Sequence, residues 1–244
     1  MRPAFQTILL IALASPFLPA DSKNQTFDDF ITPLPVKPSE TLVLGIVGGW
    51  ERWDNPGRCI RRTAIEIKRQ FRPGVHVETV ENHKLQLGEE LIRRAFDFDS
   101  DGKLTKEEAA QARVILFGQS LGGRATLWLA RKLKEWGVPV RLAIVVDAYG
   151  KDPYTVPPNV KEAANIFQRD HLFIKGAPEI RAEKPDETRI LFNRRVSYKD
   201  RKIPLEEHSG MERFFMDEHA MVEYDTEIWT EVVRLITSAI AGPG

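Results

Sequence analysis

From residue 41 onward, short apolar runs alternate with amphipathic stretches. The runs are Leu42 to Val47, Val75 to Val80, Val114 to Phe117, Leu142 to Val146 and Ile190 to Phe192. Runs of this kind suit strands buried on both faces, as in a parallel sheet. Between them the period lengthens to that of a helix. Ile60, Ala64, Ile67 and Phe71 share one helical face, as do Leu121, Ala125, Trp128, Leu129, Leu133 and Trp136. Pro56 is placed to open the first of these helices, and Gly137 to close the second with a left-handed cap. A last helix is marked by Trp229, Val232, Val233, Ile236 and Ile240, with Asp225 as its N-cap. The alternation predicts the α/β class, a three-layer sandwich around a mostly parallel sheet. From Gly150 to Asp186 the pattern lapses into a polar, irregular stretch with no assignable element.

The start of the chain reads differently. Arg2 gives a basic beginning, Ile8 to Leu18 is almost continuously apolar, and Ala14 and Ala20 are small cleavage-site candidates. Residues 1–20 therefore read as a secretory signal peptide, which implies a periplasmic or extracellular protein. Pro16 breaks the apolar run, which falls short of the roughly 20 residues that span a bilayer, so no stable membrane insertion of the mature chain is expected. Residues 21–40 are polar and carry Pro33, Pro35 and Pro38, a composition that suits an extended linker. One domain is expected over residues 41–241.

Composition narrows the function classes. A chain of 244 residues with 42% hydrophobic content supports one well-packed core. Its 35 Lys and Arg balance 35 Asp and Glu without a basic cluster, which argues against nucleic acid or anionic lipid as a partner. Cys59 is the single cysteine, so no internal disulfide can form; in a helix it reads as a buried, inert thiol.

The most informative segment runs from Val114 to Gly123. A buried strand leads directly into Gly118-Gln119-Ser120-Leu121-Gly122 and on into a helix, the context of a G-x-S-x-G turn. The motif alone occurs by chance in roughly one chain in a dozen of this length, so its weight comes from the flanking strand and helix. The glycines are needed where neighbouring side chains would collide with the adjacent strand and helix. The turn also aims the positive end of the helix at any charge forming beside Ser120. The competing reading is a strand-to-helix turn whose serine only caps the helix. Nearby, Gly45-Ile46-Val47-Gly48-Gly49 fits neither nucleotide-binding glycine pattern.

On these residues the chain resembles the α/β-hydrolase superfamily of serine esterases and lipases, from about residue 41 to residue 240, with the elbow as the one specific motif. The resemblance implies Ser120 as nucleophile, followed in the chain by an acid and then a histidine. Asp147 ends the next strand, Leu142 to Val146, and is the acid; capping a turn before Gly150 is the alternative. His219, shortly before the final helix, is preferred as the base, with His208 in Glu206-Glu207-His208-Ser209-Gly210 as its rival. His76, His83 and His171 fall outside the expected position and read as structural or surface residues. The oxyanion hole would use the Leu121 amide and the backbone at Gly49 and Trp50, where Gly48-Gly49-Trp50 can equally be a tight turn.

A second pattern is independent of the first. Residues 97–108 place Asp97, Asp99, Asp101 and Glu108 at positions 1, 3, 5 and 12 of an EF-hand loop, with Gly102 at position 6 and Leu104 at position 8. A hard dication collects oxygens from alternate residues of a tight loop, so one structural Ca2+ is expected, with Lys103 giving its carbonyl and Thr105 acting directly or through water. Leu87, Leu91, Ile92 and Ala95 mark the incoming helix; no second loop is visible, which favours a structural ion over a switch.

Two functions remain open from these residues. One is a secreted serine hydrolase acting on a small-molecule carboxylic ester or related acyl compound. The other is a catalytically inactive calcium-binding module on the same fold.

Overall fold

The computed structural model describes residues 24–71, 73–171, 174–201, 203 and 218–242. Residues 1–20 and His208 lie outside the described residues, so the signal peptide and the rival histidine do too. The five anticipated strands form as β1 (Thr41–Val47), β2 (Val75–Glu81), β3 (Val114–Gln119), β4 (Val140–Val146) and β8 (Arg189–Val196). A sixth long strand, β6 (Val160–Gln168), joins them, and two short strands, β5 (Thr155–Val156) and β7 (Arg181–Ala182), pair separately. The main sheet has the order β2-β1-β3-β4-β6-β8 with every neighbouring pair parallel. The expected fold class stands: a parallel sheet flanked by helices on both faces.

Alternation along β1 shows how the layers form. Leu42, Leu44 and Ile46 point into one apolar cluster, with Leu91, Ile92, Leu127 and Leu129. Val43 and Val47 point into the other, with Ile60, Ile67, Ile228, Val232 and Ile236. The first cluster is covered by α2 (Leu85–Ala95), α3 (Lys106–Gln111) and α4 (Leu121–Glu135). The second is covered by α1 (Cys59–Gln70) and α6 (Thr226–Ala241), with the short α5 (Glu218–Tyr224) ahead of α6. The inner strands β1, β3 and β4 are therefore covered by apolar layers on both sides, which is why their runs read as continuous.

The ends of the helices follow local chemistry. Gly137, at φ +75°, closes α4 with Gly137 N–H to Lys134 O at 3.1 Å and Val138 N–H to Leu133 O at 2.9 Å, the paired bonds of a left-handed cap. Asp225 caps α6 by accepting from the Glu227 and Ile228 amides. Pro56 does not open α1: the N-cap is Arg58, and Pro56 lies in the turn before it. Trp128 is also off the buried face. It is 45% exposed, with its indole N–H donating to Asp152 and the Arg124 guanidinium 4.6 Å above its ring.

Two parts of the chain depart from their composition. β6 lies inside the stretch that carried no periodic signal, because Asn165 and Gln168 are buried polar residues that interrupt its apolar run. The lead-in is held against the domain from residue 25 onward. Gln25 donates to Thr79 O at 2.9 Å and accepts from the Glu81 amide at 3.0 Å, while Glu78 accepts from the Ile31 and Thr32 amides. These contacts occupy the outer side of β2, the edge strand, whose free backbone groups would otherwise be exposed.

Candidate active site

The chain reverses direction in the sheet between β1 and β3: β2 is laid on one side of β1, and β3 and its successors on the other. In such sheets the crevice at the carboxyl ends of the two diverging strands is the natural place for a ligand. Gly48 follows β1 and Ser120 follows β3 at this point. A Cβ on Gly48 would lie 3.3 Å from the Ser120 Cβ, so the two turns are packed against each other.

Ser120 is the N-cap of α4 at φ +57° and ψ −123°, a conformation that side chains rarely adopt. Its amide is held by Val146 O at 2.9 Å, and its carbonyl accepts from the Tyr149 and Arg124 amides at 3.3 Å each. Both elbow glycines are required by contact. A Cβ on Gly118 would strike the Gly122 carbonyl, and one on Gly122 the Ile46 carbonyl of the neighbouring strand.

Asp147 lies at the end of β4, fully buried and at φ +45°. Its Oδ1 accepts from the Gln168 amide at 3.0 Å, and its Oδ2 from Gln168 Nε2 at 3.1 Å. A side chain at position 176 would collide with this carboxylate, so Gly176 leaves it room. His219, near the start of α5, bridges the two residues. Its Nδ1 is 2.6 Å from Asp147 Oδ2 and its Nε2 is 2.9 Å from Ser120 Oγ. A carboxylate only accepts, so Nδ1 carries the hydrogen, and neutral Nε2 is left to accept from the serine hydroxyl. The arrangement has the parts of a nucleophile, a base and a group that orients the base.

Leu121 is the first residue of α4 and follows Ser120 directly, so its amide has no acceptor in its own helix. Gly48 to Glu51 form a tight turn, closed by the Glu51 amide on Gly48 O at 3.1 Å, with Gly49 at φ +44°. Gly49 and Trp50 are its central residues, and Asn82 Nδ2 anchors the turn at Gly49 O. The Trp50 ring is 87% exposed and rests 5.2 Å from His83. The tight turn is therefore real, and it sits on the serine's own turn.

The other described histidines are occupied elsewhere. His76 meets Glu40 at 2.7 Å, and His171 Nδ1 accepts the Ile174 amide at 2.6 Å. Cys59 is buried at the start of α1, where burial, then the nearby Glu223 and Glu51, raise its thiol well above the usual range. Gln168 escaped the sequence reading. Only its buried, polar position at the end of a strand could have signalled it.

The acidic loop folds between α2 and α3 as a helix-loop-helix. Oxygens of Asp97, Asp99 and Glu108 lie within 4.8 Å of one another. Gly102 takes the sharp bend at φ +84°, and its amide donates to Asp97 Oδ2 at 2.9 Å. Asp101 is outside the convergent group; its Oδ1 accepts from the Lys103 amide at 2.7 Å. The Thr105 amide and hydroxyl hold the Glu108 carboxyl below the usual range. Leu104 packs against the core cluster under α2 and α4. The donors are all hard oxygens, which fits a calcium ion better than a transition metal.

No protein-family model matches the chain, and no curated protein matches it. Among solved structures it is similar to a dienelactone hydrolase from Anabaena variabilis ATCC 29413, at 14% identity over 84% of this chain and 87% of that one, TM-score 0.39. It is also similar to an esterase/lipase from an uncultured bacterium, at 13% identity over 86% and 81% of the two chains, TM-score 0.41. A cutinase-like protein from Cryptococcus sp. aligns at 12% identity over 86% of this chain and 100% of that one, TM-score 0.40. These likenesses concern the fold.

Proposed function

We propose that the protein is an exported serine hydrolase acting on carboxylic-ester or related acyl bonds of small molecules, with one structural calcium site. The observation that carries this reading is His219, hydrogen-bonded at one nitrogen to Ser120 and at the other to Asp147. A binding module that merely kept the architecture has no need of a histidine in contact with both partners.

In this mechanism Ser120 Oγ attacks the acyl carbon while its proton passes to His219 Nε2. Asp147 keeps the imidazole in the tautomer that can accept and stabilises the imidazolium that results. Gln168 fixes the carboxylate in turn, through both of its oxygens. The oxyanion forms beside the Leu121 amide, with Gly49 and Trp50 as candidates for the second donor. The imidazolium returns its proton to the leaving group, and water repeats the sequence on the acyl-enzyme.

Calcium would be held by Asp97, Asp99 and Glu108, whose oxygens converge, and Asp101, the Lys103 carbonyl and Thr105 would turn toward the ion to complete the shell. Its role would be to neutralise the converging carboxylates and stiffen the connection into β3. Leu104, packed into the core, supports a single loop that leans on the domain rather than on a second loop. In the described residues no helix is long and apolar enough to cross a membrane. Export rests on residues 1–20 alone and predicts a mature chain that begins after Ala20 in secreted material.

The deciding experiment is labelling of the purified mature protein with a fluorophosphonate probe, in calcium and in chelator, beside Ser120→Ala. Labelling of the parent that Ser120→Ala abolishes is the expected result. A folded, calcium-loaded protein that does not label would return the fold to the binding-module reading.

A further inference from the structure

Near His219 lie two glutamates that the proposed chemistry does not use. Glu51 ends the turn after β1, and Glu223 is one helical turn beyond His219 on α5. Their side chains are 14% and 6% exposed, and both address the same nitrogen, Arg58 Nη1, at 3.8 Å and 2.9 Å. The other oxygen of each, Glu51 Oε2 and Glu223 Oε1, is buried without a hydrogen-bond partner. One guanidinium cannot neutralise two carboxylates, and a buried oxygen without a donor is costly. A single proton relieves both problems, since it removes one charge and turns an acceptor into a donor.

We infer that Glu51 takes up a proton near neutral pH beside Glu223, and that this carboxyl pair is a positioning device that joins the turn after β1 to the helix carrying His219 and tunes the basicity of that histidine. The inference deepens, and rests on, the reading of Ser120 and His219 as the proton-transfer couple.

The surroundings support it. Burial, and next the Glu223 charge, push Glu51 up to about 7, against the opposing pull of Arg58, the Gly48 amide and His219. Burial works against the Arg58 charge, but Glu223, Glu51 and Tyr224 hold its pKa above the ordinary value. Glu51 thus faces Glu223 and His219 on α5, Arg58 ahead of α1, and the Gly48 amide of its own turn. Glu223 faces Arg58, with Cys59 and Tyr224 in the same field and Arg62 Nη2 bonded to its carbonyl at 2.8 Å. The coupling to His219 is reciprocal: an imidazolium favours ionised Glu51, so ionised Glu51 favours the imidazolium equally.

The test compares the pH dependence of fluorophosphonate labelling, from about pH 5 to about pH 9, in the mature protein and in Glu51→Gln, with infrared spectra of both. Glutamine keeps the shape and cannot ionise. The expected result is an acid limb shifted to lower pH by a few tenths of a unit, because Glu51, partly ionised near neutral pH, no longer favours the imidazolium. A protonated-carboxyl stretch present in the parent at about pH 6 should be missing from the variant. Superimposable profiles, or no such band in the parent, overturn the inference. A parent that labels at no pH overturns the Ser120 reading instead, and the infrared band still decides the proton on Glu51. Should Glu51→Gln not fold, Glu223→Gln replaces it: without the neighbouring charge Glu51 ionises at lower pH, so the band weakens at about pH 6, and its persistence overturns the pair.

Discussion

The two regions that carry candidate chemistry are built in opposite ways. The acidic loop gathers its oxygens from a contiguous run, Asp97 to Glu108, and its own amides hold them: Asp101 and Gly102 bond to Asp97, and Phe98 and Thr105 to Glu108. The Ser120 centre draws its parts from the ends of β3, β4 and β6 and from α5, with His219 72 residues from Asp147 and 99 from Ser120. Both regions contain strained backbone. Ser100 and Gly102 bend the loop at positive φ, as Gly49, Ser120 and Asp147 do at the crevice. In the loop the strain serves a local turn. At the crevice it is held by the sheet: Val146 O fixes the Ser120 amide and Ile166 O the Asp147 amide, at 2.9 and 2.7 Å. Local construction makes a site legible and separable, whereas distributed construction makes it depend on the packing of the whole domain.

That contrast breaks most directly at the serine. Ser120→Ala and His219→Ala should each lower the rate of ester turnover about a thousandfold or more while the melting temperature stays near the parent value, since residues that act as a unit fail together. Two variants with very different residual rates would show that the pair does not work as one.

The dependence on packing is exposed by Gly122→Ala. Its Cβ would meet the Ile46 carbonyl, a backbone atom that cannot yield without moving β1 from α4. A stability loss of about 3 kcal/mol in urea titration is expected, together with weaker labelling. Gly102→Ala, in the loop, meets no neighbour but sits at φ +84°, and should cost about 1 kcal/mol and leave labelling intact in excess calcium.

Chelation tests whether the local region is truly separable. An ion present at a hundred times its dissociation constant stabilises by about 2.7 kcal/mol, so EDTA should lower the melting temperature by roughly 5–10 °C for a domain of this size. Because β3 begins just beyond α3, labelling should slow as well. A shift in melting temperature without any change in labelling would mean that the loop is stabilised independently of the elbow; no change in either measurement removes the calcium site.

The smallest effect is expected at Gln168. Gln168→Ala leaves Asp147 one backbone donor and its bond to His219, and removes the side-chain bond at 3.1 Å. Turnover should fall about tenfold with binding of substrate unchanged, which separates kcat from KM. A rise in KM alone would assign Gln168 to substrate contact.

Much of this protein was written locally. Apolar runs marked the inner strands because both of their faces are covered, the elbow was visible because a buried strand must turn at once into α4, and the acidic loop was visible because its spacing is its geometry. Asp225 and Gly137 announced helix ends through short-range hydrogen bonds. What tertiary structure decided depends on distant segments returning to one place. β6 is a strand because β4 and β8 pair with it, despite the buried Asn165 and Gln168 that break its pattern. Trp128 turns outward because Arg124 and Asp152 receive it, and the polar lead-in is ordered because β2 is an edge. The carboxyl pair could not be read at all, since Glu51 and Glu223 are ordinary polar residues until folding removes their water. Local periodicity and turn chemistry act over a few residues and survive in the sequence; burial, and the charge balance it imposes, exist only after the chain has closed.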